Sequence, residues 1–353
     1  MIKDILSEKS SWEILAETRL PIVLYGTGNG ADAVLDKFDS LGIKVSEIMA
    51  SSGFVRDRFF RGYKVKSLEE IDKDYPDFVI ALAFASSCDE VIKNIKSLSK
   101  NHRVIMPVVP VFGEKVMDRD YLEKNREALE NACSLLYDKE SKRVFESMVR
   151  FQFTGDFSHL FTAESSREAA LRAILELTDR EDILDLGAYR GDTVEEIFTL
   201  FGNISSALCF EPDQKTFKKL SIYAEGKENV TVLNLAAWYE EAEFKFSGGG
   251  GRQSTLCKEG KQTVKPAAVD SVLGNGQKIT YVKMDVEGAE KEALLGMKNL
   301  ILYQKPKLSI AAYHRTEDLC TLIPLIHSLN NEYKIHLRHH PYIPFWDTNL
   351  YCK

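Results

Sequence analysis

The sequence predicts an α/β protein: a large Rossmann-like sheet domain preceded by a smaller Rossmann-like α/β domain and a helical connector. Three observations predict this. The stretch Asp182–Thr193 runs as a short apolar strand (Ile183–Leu186), a glycine turn (Gly187, Gly191) and the start of an amphipathic helix (Val194–Phe198), which is the order of a nucleotide-type site. A second such arrangement lies near the start of the chain, where Ile22–Tyr25 leads into Gly26-Thr27-Gly28-Asn29-Gly30-Ala31. Between them the pattern is helical and charged, with no internal repeat and no low-complexity linker. The expected divisions are 1–112 for the smaller domain, 113–170 for the connector and 171–353 for the larger domain.

In the first unit, residues 1–20 read as an amphipathic helix. Strands are expected at Ile22–Tyr25, Lys44–Met49, Asp77–Ala83 and Arg103–Val109, with helices at Ala33–Leu41 and Cys88–Leu98. A dinucleotide site needs an acid at the tip of the second strand, about 20 residues after the glycine loop, to hold the ribose hydroxyls. That strand ends Ile48-Met49-Ala50-Ser51-Ser52, with Glu47 inside it. The unit therefore reads as a docking or substrate-recognition domain, with an NAD-dependent enzyme as the rival. In the connector, helices are expected at Tyr121–Leu136 and Lys139–Phe151. Phe151, Phe153, Phe157 and Phe161 around Gly155 either pack a corner or wall a pocket.

In the second unit a helix from Ser166 to Thr178 precedes the central stretch. Its spacing is D-x-G-x-x-x-G. Asp185 at the strand end repels a pyrophosphate but suits a sulfonium or ammonium, which favours S-adenosylmethionine over NAD. The next strand, Ala207–Phe210, ends in Glu211 and Pro212, about 20 residues past Gly191, where a carboxylate accepts ribose hydroxyls. Asp213 is the better candidate for capping the following helix. A third strand, Val230–Ala237, ends in small residues, and Ala236, Ala237 and Trp238 are expected to flank an adenine. The segment 242–246 alternates like an exposed strand. Glycines 248–251 have no following Lys-Ser/Thr, so they form no P-loop and read as a hairpin tip near the site.

The fourth strand, Thr280–Asp285, sets Lys283, Asp285 and Glu287 at the sheet edge, with Gly288 before a helix Ala289–Met297. Crowded acids at such an edge are costly unless they bind something. Strand Lys307–Tyr313 ends at His314, and helix Glu317–Leu329 follows. Strands Tyr333–Arg338 and Thr348–Cys352 are expected as an antiparallel edge pair.

Bulk properties exclude several classes. The 353 residues exceed one typical domain, and 44% hydrophobic with 28% charged residues is a soluble globular composition. The net charge of −7 gives no basic footprint for nucleic acid. The N-terminal residues carry acids and resemble no signal peptide, and no apolar run approaches the ~20 residues of a spanning helix. The cysteines, at 88, 133, 209, 257, 320 and 352, are scattered without C-x-x-C and read as reduced thiols of a cytoplasmic protein. His339 and His340 point to opposite faces of a strand, so no metal site is assigned to them.

With these residues in view, Asp182–Cys352 resembles the FkbM-type methyltransferase family. The resemblance is carried by Lys283-Met284-Asp285-Val286-Glu287-Gly288-Ala289-Glu290, by Asp185-Leu186-Gly187-Ala188-Tyr189-Arg190-Gly191-Asp192-Thr193 and by Phe210-Glu211-Pro212. It implies a class I S-adenosylmethionine fold with a seven-stranded sheet. It also implies O-methylation of a hydroxyl on a sugar, glycan or natural product. The expected cofactor residues are Asp185, Gly187, Ala188, Tyr189, Gly191, Asp192, Thr193, Glu211, Pro212, Ala237 and Asp285. Asp285 and His314 are the candidate bases and Glu287 is the third. For His314 a capping or core role stays open, and Asp285 with Glu287 can instead hold a divalent cation. The front half looks like the small nucleotide-binding-like domain sometimes attached to sugar-modifying enzymes, with Ala50 where that domain often has Asp. The partner expected is a small-molecule or glycan acceptor, and a homo-oligomer is compatible with the sequence.

Overall fold

The computed structural model describes the chain except residues 56, 241–243, 248–254, 258–261 and 275, and gives backbone strands alone within 244–264. The glycine tip at 248–251 thus lies outside the described residues. The first unit has six strands: β1 (Ile22–Tyr25), β2 (Glu47–Met49), β3 (Phe59–Phe60), β4 (Tyr63–Lys66), β5 (Val79–Leu82) and β6 (Arg103–Ile105), in the order β3-β4-β2-β1-β5-β6. All pairings are parallel except β3 with β4. The β3–β4 hairpin and a helix at Leu68–Asp74 have no counterpart in the sequence reading. The N-terminal segment is two short helices, Ile2–Ile5 and Ser11–Glu17, because Ser10 and Glu13 form a capping box that starts the second afresh.

The second unit is built on β7 (Asp182–Leu186), β8 (Ser206–Phe210) and β9 (Val230–Leu233). The chain then leaves the sheet as β10 (Ala236–Trp238), β11 (Phe244–Ser247), β12 (Thr255–Cys257), β13 (Gln262–Val264) and β14 (Pro266–Ala268). It returns as β15 (Tyr281–Met284), β16 (Lys307–Ala311), β17 (Ile335–His339) and β18 (Thr348–Cys352). The order β17-β18-β16-β15-β7-β8-β9 is the expected seven-stranded sheet, parallel but for β18, which runs antiparallel to both its neighbours. The strands β7, β8 and β15 are buried almost throughout, which is why they read as continuous apolar runs.

The connector packs between the units. Helices Arg119–Lys124 and Arg126–Leu135 are separated at Asn125, and the second packs on helix Asp318–Leu329. Phe151, Phe153 and Phe157 are buried, while Phe157 and Phe161 also line a second cavity of about 720 Å³, so the cluster both packs a corner and walls a pocket. Gly155 sits there at φ +69, where a Cβ would stand 2.6 Å from the Met106 carbonyl. One continuous apolar core includes Val23 and Ile80 of the first sheet, Phe145 of the connector and Leu184 and Ile310 of the second sheet. Arg119 fixes the N-terminal helices by bonding Glu13 and the carbonyls of Leu6 and Glu8.

Candidate active site

The site begins at the carboxyl end of β7. Gly187 has φ +81, and a Cβ there would stand 1.9 Å from the Asp285 carbonyl, so only glycine lets the exits of β7 and β15 cross this closely. The N–H groups of Gly187 and Ala188 then donate to the Phe210 carbonyl, which swings the turn over the end of β8. Tyr189 follows in the left-handed region at φ +47. Its N–H donates to Glu211 Oε2 at 2.9 Å, while the Asp213 N–H donates to Oε1 at 2.8 Å. Glu211 is thereby fixed by one backbone amide on each oxygen, and each oxygen keeps a lone pair for a further donor. Burial pushes its carboxyl up to about 7, against those two amides. Asp213 caps helix Gln214–Ala224 through the Thr216 N–H, as expected.

A cleft of about 1030 Å³ opens above these residues. Gly187, Tyr189, Asp192 and Thr193 line it on the β7 side, and Glu211, Pro212, Ala236 and Ala237 on the β8 side. Ala188 and Gly191 do not line it. Ala188 is fully buried, and Gly191 packs against the Tyr223 ring. Asp185 departs further from the sequence reading. It is 0% exposed and faces Lys283, whose Nζ lies 3.3 Å away and also donates to the Gly187 carbonyl at 2.9 Å. Lys283 is its nearest cation, although neither carboxylate oxygen makes a hydrogen bond among the described residues, and Asp185 lies beneath the turn, outside the cleft lining. Burial raises its pKa, with Lys283 opposing. Trp238 is likewise outside the cleft lining. Its carbonyl lies where a Cβ on Gly296 would come within 1.8 Å.

The other half of the cleft gathers the three candidate bases. His314 is 1% exposed. Its Nδ1 lies 2.9 Å from Glu290 Oε1, and its Nε2 lies 3.3 Å from Asp285 and 3.5 Å from Glu287. Glu290, itself 1% exposed, is held by the N–H groups of Val286 and Gly288. Burial disfavours the imidazolium, yet Glu290, Asp285 and Glu287 outweigh it and push His314 up to about 10. Burial also works against a charge on Asp285, but His314 and then Lys283 hold that carboxyl below its usual range. Glu287, in the left-handed region at φ +56, is pushed up to about 8 by burial. Tyr313 donates to Asp285 Oδ2 at 3.2 Å, while Oδ1 makes no hydrogen bond among the described residues and faces His314 Nε2 at 3.3 Å. One ligand atom from each of Asp285, Glu287 and His314 lies within 4.8 Å of the others, a spacing that also suits a cation.

Sequence reasoning missed several residues of this cleft. Glu290 lies behind the cleft lining against His314, and it was within reach, since it stands three residues after Glu287 at the start of a helix. Tyr313 adjoins a named residue. Arg167, which pairs with Glu196 and Asp347 at the cleft wall, carries no local signal at all. Nor do Asn29, Ser87 and Val111, which reach the cleft from the first unit. That unit's glycine loop has a structural reason for its glycines: a Cβ on Gly26 or Gly30 would stand 3.0 or 2.8 Å from the Ala83 carbonyl. Glu47 is engaged by Lys66 and Tyr75. His339 and His340 bond Thr348, and Ser165 with Tyr351, respectively.

Residues 185–338 match the model of the methyltransferase FkbM domain. The chain is similar to the hexuronic acid methyltransferase AglP of Haloferax volcanii, 28% identical over 141 residues, which are 37% of this chain and 56% of that protein. It thus spans about half the length of this curated relative. It is also similar in fold to the crystal structure of the methyltransferase FkbM from Methylobacillus flagellatus KT. That match has a TM-score of 0.71 at 20% identity and covers 100% of this chain and 93% of the other.

Proposed function

We propose that this chain, a methyltransferase whose residues 185–338 form an FkbM-type domain, binds S-adenosylmethionine over Gly187 and Glu211 and methylates a hydroxyl of a sugar, glycan or natural-product acceptor. The observation that carries this is a single cleft joining the amide-fixed carboxylate of Glu211 to the Asp285–Glu287–His314 cluster. The donor set fits the cofactor. Glu211 offers two oriented acceptors to ribose hydroxyls, Ala236 and Ala237 leave room for a flat base, and the acids around the cleft suit a cationic ligand. When bound, the cofactor supplies a methyl group already activated on a positively charged sulfur.

The chain's own residues supply position and a proton acceptor. Asp285 is the carboxylate assigned to receive the acceptor's hydroxyl proton, because it lines the cleft and His314 and Lys283 hold its carboxyl below the usual range. His314 is charged at neutral pH and anchors Asp285 rather than competing with it as base. Glu290 orients the imidazole through Nδ1. A positioned base contributes about 10²–10⁴ in rate, and orientation of the acceptor adds to that.

A second reading is favoured by the mutual reach of Asp285, Glu287 and His314. In it a divalent cation replaces the proton on His314, with Glu290 as the outer carboxylate that orients a ligating imidazole. Prolonged treatment with a chelator separates the two readings. Unchanged transfer supports the proton-acceptor assignment, and loss restored by added magnesium or manganese supports the cation.

The hexuronic acid named for the similar protein supports a sugar acceptor. Among the described residues no helix is long and apolar enough to cross a membrane, and the free cysteines support a cytoplasmic setting. The test of the proposal is transfer of labelled methyl to a panel of hexoses, hexuronic acids and their glycosides. Cofactor binding is measured in parallel on wild type and Glu211→Gln, with affinity in the variant expected to fall about 10–100-fold. Wild type that binds no cofactor ends the proposal.

A further inference from the structure

We propose that the N-terminal unit forms one wall of the acceptor site, so that the acceptor is an uncharged glycoside of two or more units held between both halves of the chain. This rests on the sugar reading above and specifies which sugars. The cleft of about 1030 Å³ is at the upper end of the range for small-molecule pockets, about 300–1,000 Å³. It has room for more than a cofactor. Part of its lining is foreign to the methyltransferase fold: Asn29 follows β1, Ser87 follows β5 and Val111 follows β6. The cleft therefore takes in the carboxyl ends of both sheets, which is where α/β sheets meet their ligands.

The wall is fastened at the reacting centre itself. Ser86 and Ile343 exchange backbone hydrogen bonds in both directions, at 2.8 and 2.9 Å. The Phe112 N–H donates to the His314 carbonyl at 3.0 Å, and the two rings lie 5.9 Å apart. The Thr316 hydroxyl donates to the Lys115 carbonyl close by. Any acceptor that presents a hydroxyl to Asp285 thus has the first unit beside it.

The chemistry of the lining selects the occupant. Asn29 and Ser87 place a neutral amide and a hydroxyl on the lining. Tyr342 and Trp346, whose rings lie 5.8 Å apart, offer aromatic faces in the same cleft. Neutral hydrogen-bonding groups beside aromatic faces suit the hydroxyls and the C–H faces of linked pyranoses. A diphosphate is disfavoured. Asp192, Glu196, Asp285 and Asp347 all line the cleft, while its cations are already committed, Arg167 to Glu196 and Asp347, Lys283 to Asp185 and His314 to Glu290.

The test uses the full chain, labelled S-adenosylmethionine and matched acceptors: methyl glucoside against methyl cellobioside, methyl mannoside against methyl mannobioside, and UDP-glucose. Expected in wild type is a higher kcat/KM for the disaccharide of a pair and no preference for UDP-glucose. Asn29→Ala and Ser87→Ala are each expected to reduce the disaccharide-to-monosaccharide ratio about tenfold, through KM, with the cofactor Kd unmoved. Ser40→Ala, on the same unit away from the cleft, keeps the ratio and controls for folding. Equal kcat/KM within each pair, a ratio unmoved in both cleft variants, or preference for UDP-glucose overturns the inference. Cofactor binding without transfer to any sugar overturns the sugar reading beneath it and is distinct from those results.

Discussion

His314 shows how the surroundings of one side chain decide its part in the chemistry. Surrounded by Glu290, Asp285 and Glu287, its imidazolium is favoured despite burial. A His raised from 6.5 to about 10 contributes stability that is fully present below pH 6.5 and lost as pH rises through about 10. Glu287, raised to about 8, also binds more protons folded than unfolded, so its contribution falls in the same direction between about pH 4.5 and 8. Thermal melts are therefore expected to fall from pH 6 to pH 10, and Glu287→Gln is expected to make that slope shallower below about pH 8, where Glu211, raised to about 7, keeps part of it. A flat profile in wild type contradicts the assignment. Asp285→Asn is expected to lower turnover about 10²–10⁴-fold while cofactor affinity stays within about threefold. Gly187→Ala, with φ +81 and a backbone oxygen 1.9 Å from the new carbon, is expected to cost on the order of 2–4 kcal/mol in chemical denaturation.

The elements that sequence read well are those whose signal is local. The apolar runs of β7, β8 and β15 and the glycine turns beside them place Gly187, Glu211 and Asp285 where they stand. Elements failed where a side chain redirects the backbone. Val230–Ala237 reads as one strand, but Asn234 donates to the carbonyls of Glu211 and Pro212 and turns the chain out of the sheet, so β9 stops and β10 starts elsewhere. The Tyr121–Leu136 helix breaks at Asn125, whose side chain takes the Tyr121 carbonyl. That Asp185 faces Lys283 was not legible locally, because Lys283 lies on the separate strand β15. Asn234→Ala is expected to destabilise by about 1–2 kcal/mol and to weaken cofactor binding, since it releases the strand end that carries Glu211. Unchanged affinity on titration removes that link.

At the scale of the molecule, the two sheets were legible and their shared cleft was not. Periodicity marks the strands of each sheet, but contacts such as Ser86 with Ile343 and Phe112 with His314 join residues more than two hundred positions apart. Nothing local in the sequence announces them. The apolar core runs from the first sheet through the connector into the second, so calorimetric unfolding is expected as one cooperative transition. Two resolved transitions would show that the units are held by less than this core implies. One cleft is proposed both to bind the methyl donor and to deprotonate an acceptor. The most direct test of this proposal is titration calorimetry with S-adenosylmethionine, paired with single-turnover transfer of its labelled methyl group, on wild type, Glu211→Gln and Asp285→Asn. Weakened binding is expected in the first variant, and near-normal binding with slowed transfer in the second. Undiminished binding by Glu211→Gln, or undiminished transfer by Asp285→Asn, contradicts it.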